Sequence, residues 1–408
     1  MVACRRCTVA YFTLMIPDED ASLKQEFDCL ATLDPLAEQV AQLLRLIRSG
    51  RQVNIQRAFQ LVKGLGNLPA FQQSLQGFLL LYQLALRSKR KKLDVPSLTK
   101  LLQLTRLEMQ GRKLTALPES LGALHNLKRV YCPFNHLQLL PESLGKLNRL
   151  QELTCSYNLL QALPESLGQL HKLKELDCRS NQLQALPESL RQLHHLREFN
   201  CSFNQLQTLP EGVGELHNLK EFYCSKNQLQ TLPESLGQLH HLQIFRCDSN
   251  LLQALPESVA ELHRLQTLFC GDNHLQALPE NIGELHHLQW FSCHYNHLQA
   301  LPESLGQLHN LRALSCSHNQ LQALPKSLAA LQNLQTLHCA NNHLQILPES
   351  VGQLRSLQEL DCSSNQLQAL PESLAGLPKL TTLDARNNPL THIPPALRRM
   401  KGLQLLVD

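Results

Sequence analysis

The stretch LRALSCSHNQLQALPKSLAALQN, Leu311 to Asn333, decides the fold, because its frame returns about every 23 residues from Leu104 to the end of the chain. The frame reads L-x-x-L-x-C-x-x-N-x-L-x-x-L-P-x-x-L-x-x-L-x-x. Its asparagine column alone fixes the register: Asn135, Asn158, Asn181, Asn204, Asn227, Asn250, Asn273, Asn296, Asn319, Asn342, Asn365 and Asn388, without a slip. So strict a period describes a solenoid, in which each unit buries its apolar face only against its neighbours.

Each unit begins with apolar positions such as Leu311, Leu314 and Cys316 alternating with outward ones, which predicts a short strand. Successive strands are expected to pair in parallel. The chain then turns at the asparagine, whose side-chain amide can satisfy backbone groups that the turn leaves open, in its own coil and the adjacent one. Leu321 and Leu324 cross the core, and Pro325 is expected at the first position of a short helical turn, where a missing N–H costs nothing. Glutamate follows proline in most units, as in Pro187-Glu188 and Pro210-Glu211, placing an acid at the positive helix end. The strand side is narrower than the helical side, so the sheet is expected to line a concave face.

Fourteen cysteines suggest a disulfide framework until they are placed. Eleven of them, Cys132, Cys155, Cys178, Cys201, Cys224, Cys247, Cys270, Cys293, Cys316, Cys339 and Cys362, hold the same apolar position in successive units and replace leucine as small buried hydrophobes. Neighbours would stand roughly 4.8 Å apart, all pointing into the core. Stacked unpaired thiols fit a reducing compartment, which predicts a cytoplasmic location. No run of 18 apolar residues exists, so no membrane insertion is expected. The start MVACRRCTVAYFTLMIP lacks an A-x-A-like cleavage site, and Cys4-x-x-Cys7 has no second pair at zinc-ligand spacing.

With 408 residues, 43% of them hydrophobic, the chain could hold two or three domains, but the period makes most of it one stack. Residues 1–20 read as loosely ordered, 21–98 as a helical N-terminal domain or cap, and 99–408 as a repeat domain of about 13 units. Helical patterns run from Asp34-Pro35 through Ile47, from Val53 to Val62, and from Ala70 to Arg87, predicting a three-helix bundle against the first repeat. Residues 1–98 carry 13 Lys/Arg against 8 Asp/Glu within a net charge of +4, too little to predict nucleic-acid binding. The basic run Arg87 to Lys92 fits a solvated helix C-terminus favoured by the dipole; a nuclear-import signal or an anionic-membrane contact is the other reading. The first unit is atypical, with Met109 for cysteine and Arg112 for asparagine, as terminal repeats are. At the other end Ala385 replaces cysteine, Leu403-Gln-Leu405-Leu406 starts another coil, and no dedicated C-terminal cap is expected.

The frame L-x-x-L-x-(L/C)-x-x-N-x-L-x-x-L-P-x-x-(L/I/V)-(G)-x-L resembles the 23-residue leucine-rich repeat class of Ras-pathway scaffold proteins and many bacterial repeat proteins, over about 300 residues. That resemblance implies an α/β solenoid, a right-handed superhelix with a concave parallel sheet and short helical turns outside. The near-identical LPESLGQL and NQLQALP segments after a helical region also resemble leucine-rich repeat effectors that intracellular bacterial pathogens deliver into host cells. Secreted ubiquitin ligases of enteric pathogens have such repeats too, but these continue into a catalytic domain with a cysteine nucleophile, which this sequence does not contain.

Because frame residues build the coil, specificity must sit in the columns they leave free. Tyr131, Glu152, Glu175, Asp177, Glu198, Glu221, Tyr223, Arg246, Phe269, Trp290, Tyr295 and His338 are therefore expected to form a partner-binding concave face. Within it Glu152, Glu175, Asp177, Glu198 and Glu221 make an acidic band that would steer a protein with a basic patch. Ile244, Phe269, Trp290 and Tyr295 make an apolar, aromatic band beside it, of the kind that forms hot spots. His194-His195, His240-His241 and His286-His287 read as solvent-facing copies of one repeat position. His294, His297, His318, His338 and His343 invite a zinc or pH-sensing reading, but a flat sheet spreads ligands that zinc needs convergent. Neither a phosphate-binding glycine loop, nor G-x-S-x-G, nor H-E-x-x-H occurs. The reading is a non-catalytic protein-interaction module with no metal or other cofactor, its oligomeric state open. The alternative is an effector in the host cytosol whose repeats choose the target while its N-terminal helices carry a separate activity.

Overall fold

The computed structural model describes residues 35–64 and 69–408. They fall into two compact units: one holds the helical segment as far as Leu79 with Lys91–Lys100, the other Leu80–Arg90 with Leu101–Asp408. The expectations for residues 1–20, for helical onset at Ala21 and for Cys4 and Cys7 lie outside the described residues.

Helices α1 (Pro35–Arg48) and α2 (Gln52–Gly64) match their apolar stripes, with Leu43, Ile47, Ile55 and Ala58 buried. The single helix expected over Ala70 to Arg87 is instead two, α3 (Pro69–Ser74) and α4 (Gln76–Leu86). Between them the Leu75 N–H is shared by the carbonyls of Phe71 and Gln72 at 3.1 and 3.2 Å, and Gly77 follows with its low helix propensity. A further helix, α5 (Val95–Leu102), was not anticipated although its signal was present. Asp94 caps it by accepting the Ser97 N–H at 2.8 Å, and Pro96 sits in the first turn, where no donor is needed.

Among the described residues, fourteen three-residue strands form one parallel sheet in chain order with no crossover, from β1 (Arg106–Glu108) and β2 (Arg129–Tyr131) through β3 (Glu152–Thr154), β4 (Glu175–Asp177), β5 (Glu198–Asn200) and β6 (Glu221–Tyr223) to β11 (Thr336–His338) and finally β14 (Gln404–Leu406). The repeats thus wind as a right-handed parallel solenoid. Pairing keeps the period, Leu107 beside Val130 and Leu360 beside Leu383, until Thr382 meets Gln404 in a coil one residue shorter. From Leu117 to Leu383 the leucine and cysteine columns are buried, and Phe199, Phe222 and Phe245 stack inside them with centroids 5.4 and 5.6 Å apart.

Opposite the sheet, each unit as far as Glu372–Gly376 makes one short 3-10 helix, such as Glu165–Gln169, and the last coil makes a short α-helix, Pro395–Arg398, instead. The proline is not its first residue but its N-cap, with Pro164 extended at φ −68° and ψ 144°. The glutamate that opens the helix reaches across to the next coil: Glu119 accepts the Ser143 N–H at 3.0 Å and Glu303 the Ser327 N–H at 2.9 Å. One column therefore caps its neighbour's helix as well as facing its own positive end. These helices pack so closely that a Cβ on Gly168 would stand 2.5 Å from the Ser189 carbonyl. Where Arg191 takes that glycine's column, the next coil answers with Gly212 in the serine column.

The asparagines bind the coils together. Asn250 donates through Nδ2 to the carbonyls of Cys224 (3.1 Å) and Cys247 (3.0 Å), and its Oδ1 accepts the Leu229 N–H at 3.1 Å. Two of these three partners belong to the preceding coil, and the same set recurs at the other eleven positions, with Met109 in place of the first cysteine at Asn135 and Ala385 in place of the second at Asn388. Replacing Asn250 by alanine strands a buried N–H and is expected to lower unfolding stability by about 1–3 kcal/mol. Denaturant unfolding of Asn250→Ala measures this, and an unchanged midpoint contradicts the assignment.

Candidate functional site

The strand register sorts the expected face. Arg106, Arg129, Glu152, Glu175, Glu198, Glu221, Ile244, Thr267 and Trp290 are direct neighbours along one outward column, and Glu108, Tyr131, Thr154, Asp177, Asn200, Tyr223, Arg246, Phe269 and Ser292 along the other. Of the twelve expected site residues, eleven lie on strands, His338 on β11 at the far end. Tyr295 does not. It sits in the turn after β9 (Trp290–Ser292), stacked on His318 with centroids 3.9 Å apart, so the aromatic band is split between sheet and turn. Trp290 stands between Thr267 and Ala313, small neighbours that leave its indole 40% exposed.

The acidic band is real in geometry and uneven in compensation. Glu152 pairs with Arg129, and Asp177 with Arg179 at 3.4 Å. Glu221 accepts the Tyr223 hydroxyl at 2.6 Å. Glu175, Glu198 and Glu221 stand side by side on β4 to β6 without an ion pair among the described residues. Partial burial first, then Glu221, Glu175 and Asp177, hold the Glu198 carboxyl above its ordinary range. Burial also raises Asp177, against hydrogen bonds and the charge from Arg179. Farther along, Arg246 covers the Phe269 ring at 4.9 Å while pairing with Asp248 at 3.3 Å.

A second feature lies in the turn that follows each strand. The residue before each frame asparagine adopts a left-handed backbone, φ 49 to 57° at positions from Phe134 to Asn387. A side chain there costs on the order of 1 kcal/mol, least for Gly, Asn and Asp. This chain nevertheless places Phe134, Tyr157, Phe203 and Tyr295 at such turns, each 44 to 52% exposed. Phe134 and Tyr157 stack at 4.4 Å, and Lys226 lies 4.9 Å over Phe203. Exposed rings held at strained positions are functional candidates. The signal that could have found them is the bulk of these residues at turn positions.

The histidines do not converge. His294 meets Ser292 at 2.6 Å and is lowered by burial, His338 meets Glu359 at 3.2 Å, and His297 stacks on His274 at 5.6 Å. Among the described residues, no group of three or more His, Cys, Asp or Glu is placed to hold a metal ion, and no helix is long and apolar enough to cross a membrane. The ladder thiols are buried and unreactive: Cys132 and Cys316 are pushed up to about 12 by burial.

A family profile described as "Leucine-rich repeat region" matches residues 57–211 and 208–343, and one described as "Leucine rich repeat" matches 332–390. No curated protein matches the chain. Among solved structures, a leucine-rich repeat protein of Leptospira interrogans is 31% identical, with TM-score 0.63, over 75% of this chain and 84% of that one. The functional domain of InlJ from Listeria monocytogenes, whose description notes a cysteine ladder, is 25% identical, with TM-score 0.61, over 72% and 65%. Toll of Drosophila, in complex with Spätzle, is 26% identical, with TM-score 0.64, over 76% of this chain and 42% of that one.

The row of acids has a pH signature. A carboxyl raised by folding is favoured protonated in the native state, so its contribution to stability is present at low pH and is lost as pH rises through the raised value. Glu198→Gln is therefore expected to raise the melting temperature at pH 7, the gain fading as pH falls into the ordinary carboxylate range. A melting series across pH 4 to 7 checks it; an equal or reversed difference at every pH contradicts it.

Proposed function

Because the chain belongs to the leucine-rich repeat family, we propose that it is a non-catalytic binding protein that holds a protein partner on the outward, concave face of its sheet. The observation that carries this reading is the row Glu175, Glu198 and Glu221, carboxylates in register on adjacent strands with no ion pair among the described residues, where the charge of Arg179 offsets only part of what burial and the neighbouring acids do to Glu198. Like charges directly opposite one another destabilise a sheet, so the row costs stability that the fold gains nothing from. A basic surface on a partner would remove that cost and be steered by the same field. Trp290, exposed three strands beyond Glu221, supplies the apolar anchor such an interface needs. The Toll chain in the comparison is in complex with a protein, Spätzle, which supports a protein partner here. Free stacked thiols favour a reducing compartment such as the cytosol.

A second reading is favoured by the compact helical unit that extends as far as Leu79. In it the helices form a domain with a separate activity, and the repeats select the target of an effector working in a host cell.

Affinity capture by the full chain, with mass spectrometry, tests the main reading. Trp290→Ala, and Glu175→Lys combined with Glu198→Lys, are expected to reduce the recovered partner at least about ten-fold without lowering the melting temperature. His263→Ala, on the exposed turn outside the sheet, is expected to leave recovery unchanged. Equal recovery with all variants sinks the assignment of the sheet face.

A further inference from the structure

Beside the first two strands lies a cleft of about 730 Å³ that the acidic band does not explain. Its walls include Gln83, Arg87 and Ser88 from the end of α4 and Gln110, Arg112 and Tyr131 from the first two coils. All belong to the same compact unit. Leu80–Arg90 and residues 101–131 together hold eight Lys/Arg and two Asp/Glu, so this end of the sheet is positive while β3 to β6 are negative.

Neither Arg87 nor Arg112 has an ion pair among the described residues. The backbone of Arg112 is fixed, its N–H donating to Asn135 Oδ1 at 2.8 Å. Arg87 takes a left-handed conformation, φ 49°, at the end of α4, and the Ser88 N–H reaches back to the Gln83 carbonyl at 3.2 Å. Glycine is the usual occupant of such a helix end, so an arginine there carries a backbone strain that glycine would avoid. Gln83, Ser88 and Gln110 also line the cleft, with Gln83 Nε2 donating to the Arg90 carbonyl at 2.7 Å and Ser88 Oγ accepting the Arg90 N–H at 3.2 Å.

We propose that this cleft docks a short acidic peptide segment, its carboxylates paired with Arg87 and Arg112. Guanidinium forks match carboxylates in bidentate geometry. Only a short segment fits: Glu108 is the one acid in the cleft wall, whereas a polyanion longer than the cleft would run onto Glu152, Glu175, Asp177, Glu198 and Glu221 along the sheet. An acidic segment followed by a basic surface meets complementary charge at both places. The inference rests on the sheet-face reading for the partner's onward path only; the cleft itself is tested separately.

The experiment is fluorescence anisotropy of a labelled hexaglutamate peptide against the full chain. Saturable binding is expected, weakened at least about ten-fold by Arg87→Gln with Arg112→Gln and at least about three-fold by either alone. Trp290→Ala, outside the cleft, is expected to bind the peptide as the unaltered chain does, so that failure of the sheet face and failure of the cleft are distinguishable. Undiminished binding by the double and both single variants overturns the proposal. So does hexalysine binding as tightly, inorganic phosphate displacing the peptide at equal concentration, or a single-stranded DNA hexamer binding more tightly through the same arginines.

Discussion

The structure depends on one side-chain amide per coil. Each frame asparagine donates to a carbonyl of its own coil and to one 26 residues earlier, and it accepts an N–H 21 residues earlier. Those offsets are met together only if every coil has the same length and winds in the same sense. A one-residue insertion would leave buried donors and acceptors open at a cost of about 1–3 kcal/mol each. The strict 23-residue period is therefore an energetic requirement of the turn, and it relaxes only past Asn388, where the last coil is one residue shorter.

Once the amide network fixes the turn, it also fixes what precedes it. The residue before the asparagine is forced into a left-handed backbone whatever its side chain, which is why Phe, Tyr, Lys, His, Ser, Asp and Asn all occupy that position with nearly the same φ. The buried columns are equally constrained. Cysteine suits the strand end because it is small and its Sγ–H points at the next strand's carbonyl, as from Cys132 to Thr154 at 3.4 Å. The glycine and serine columns set the close approach of the 3-10 helices. What remains free is the pair of outward strand columns and the exposed turn residues. There the chain places charges in rows and rings at strained positions, choices the coil does not require.

The repeat architecture was legible because periodicity is a local property summed many times: leucine, cysteine, asparagine and proline each report the same register. The sheet order, the thiol ladder and the asparagine bonds between coils follow from that register. Outside it, local signals competed. The break at Leu75 turns on one shared N–H, and α5 turns on the Asp94 cap before Pro96, neither of which has a repeated counterpart. The proline is a cap and not the first helical residue because of its extended ψ, which the sequence does not show although it shows the fixed φ. In the candidate face the acidic row was legible because a strand's period of two puts every second residue on one side. Tyr295 belongs to the column that follows the strand, where that alternation ends. The cleft at Arg87 and Arg112 was invisible because it joins segments about 25 residues apart in the sequence that no repeat relates.

The central claim is that the frame builds the coil and the free outward columns contact the partner. Site-specific photo-crosslinking tests it most directly, with p-benzoylphenylalanine introduced in place of Tyr223 on the sheet or of His240 on the exposed turn outside it. A covalent partner adduct is expected from position 223 and none from position 240. Adducts from position 240 alone, or equally from both, would contradict it.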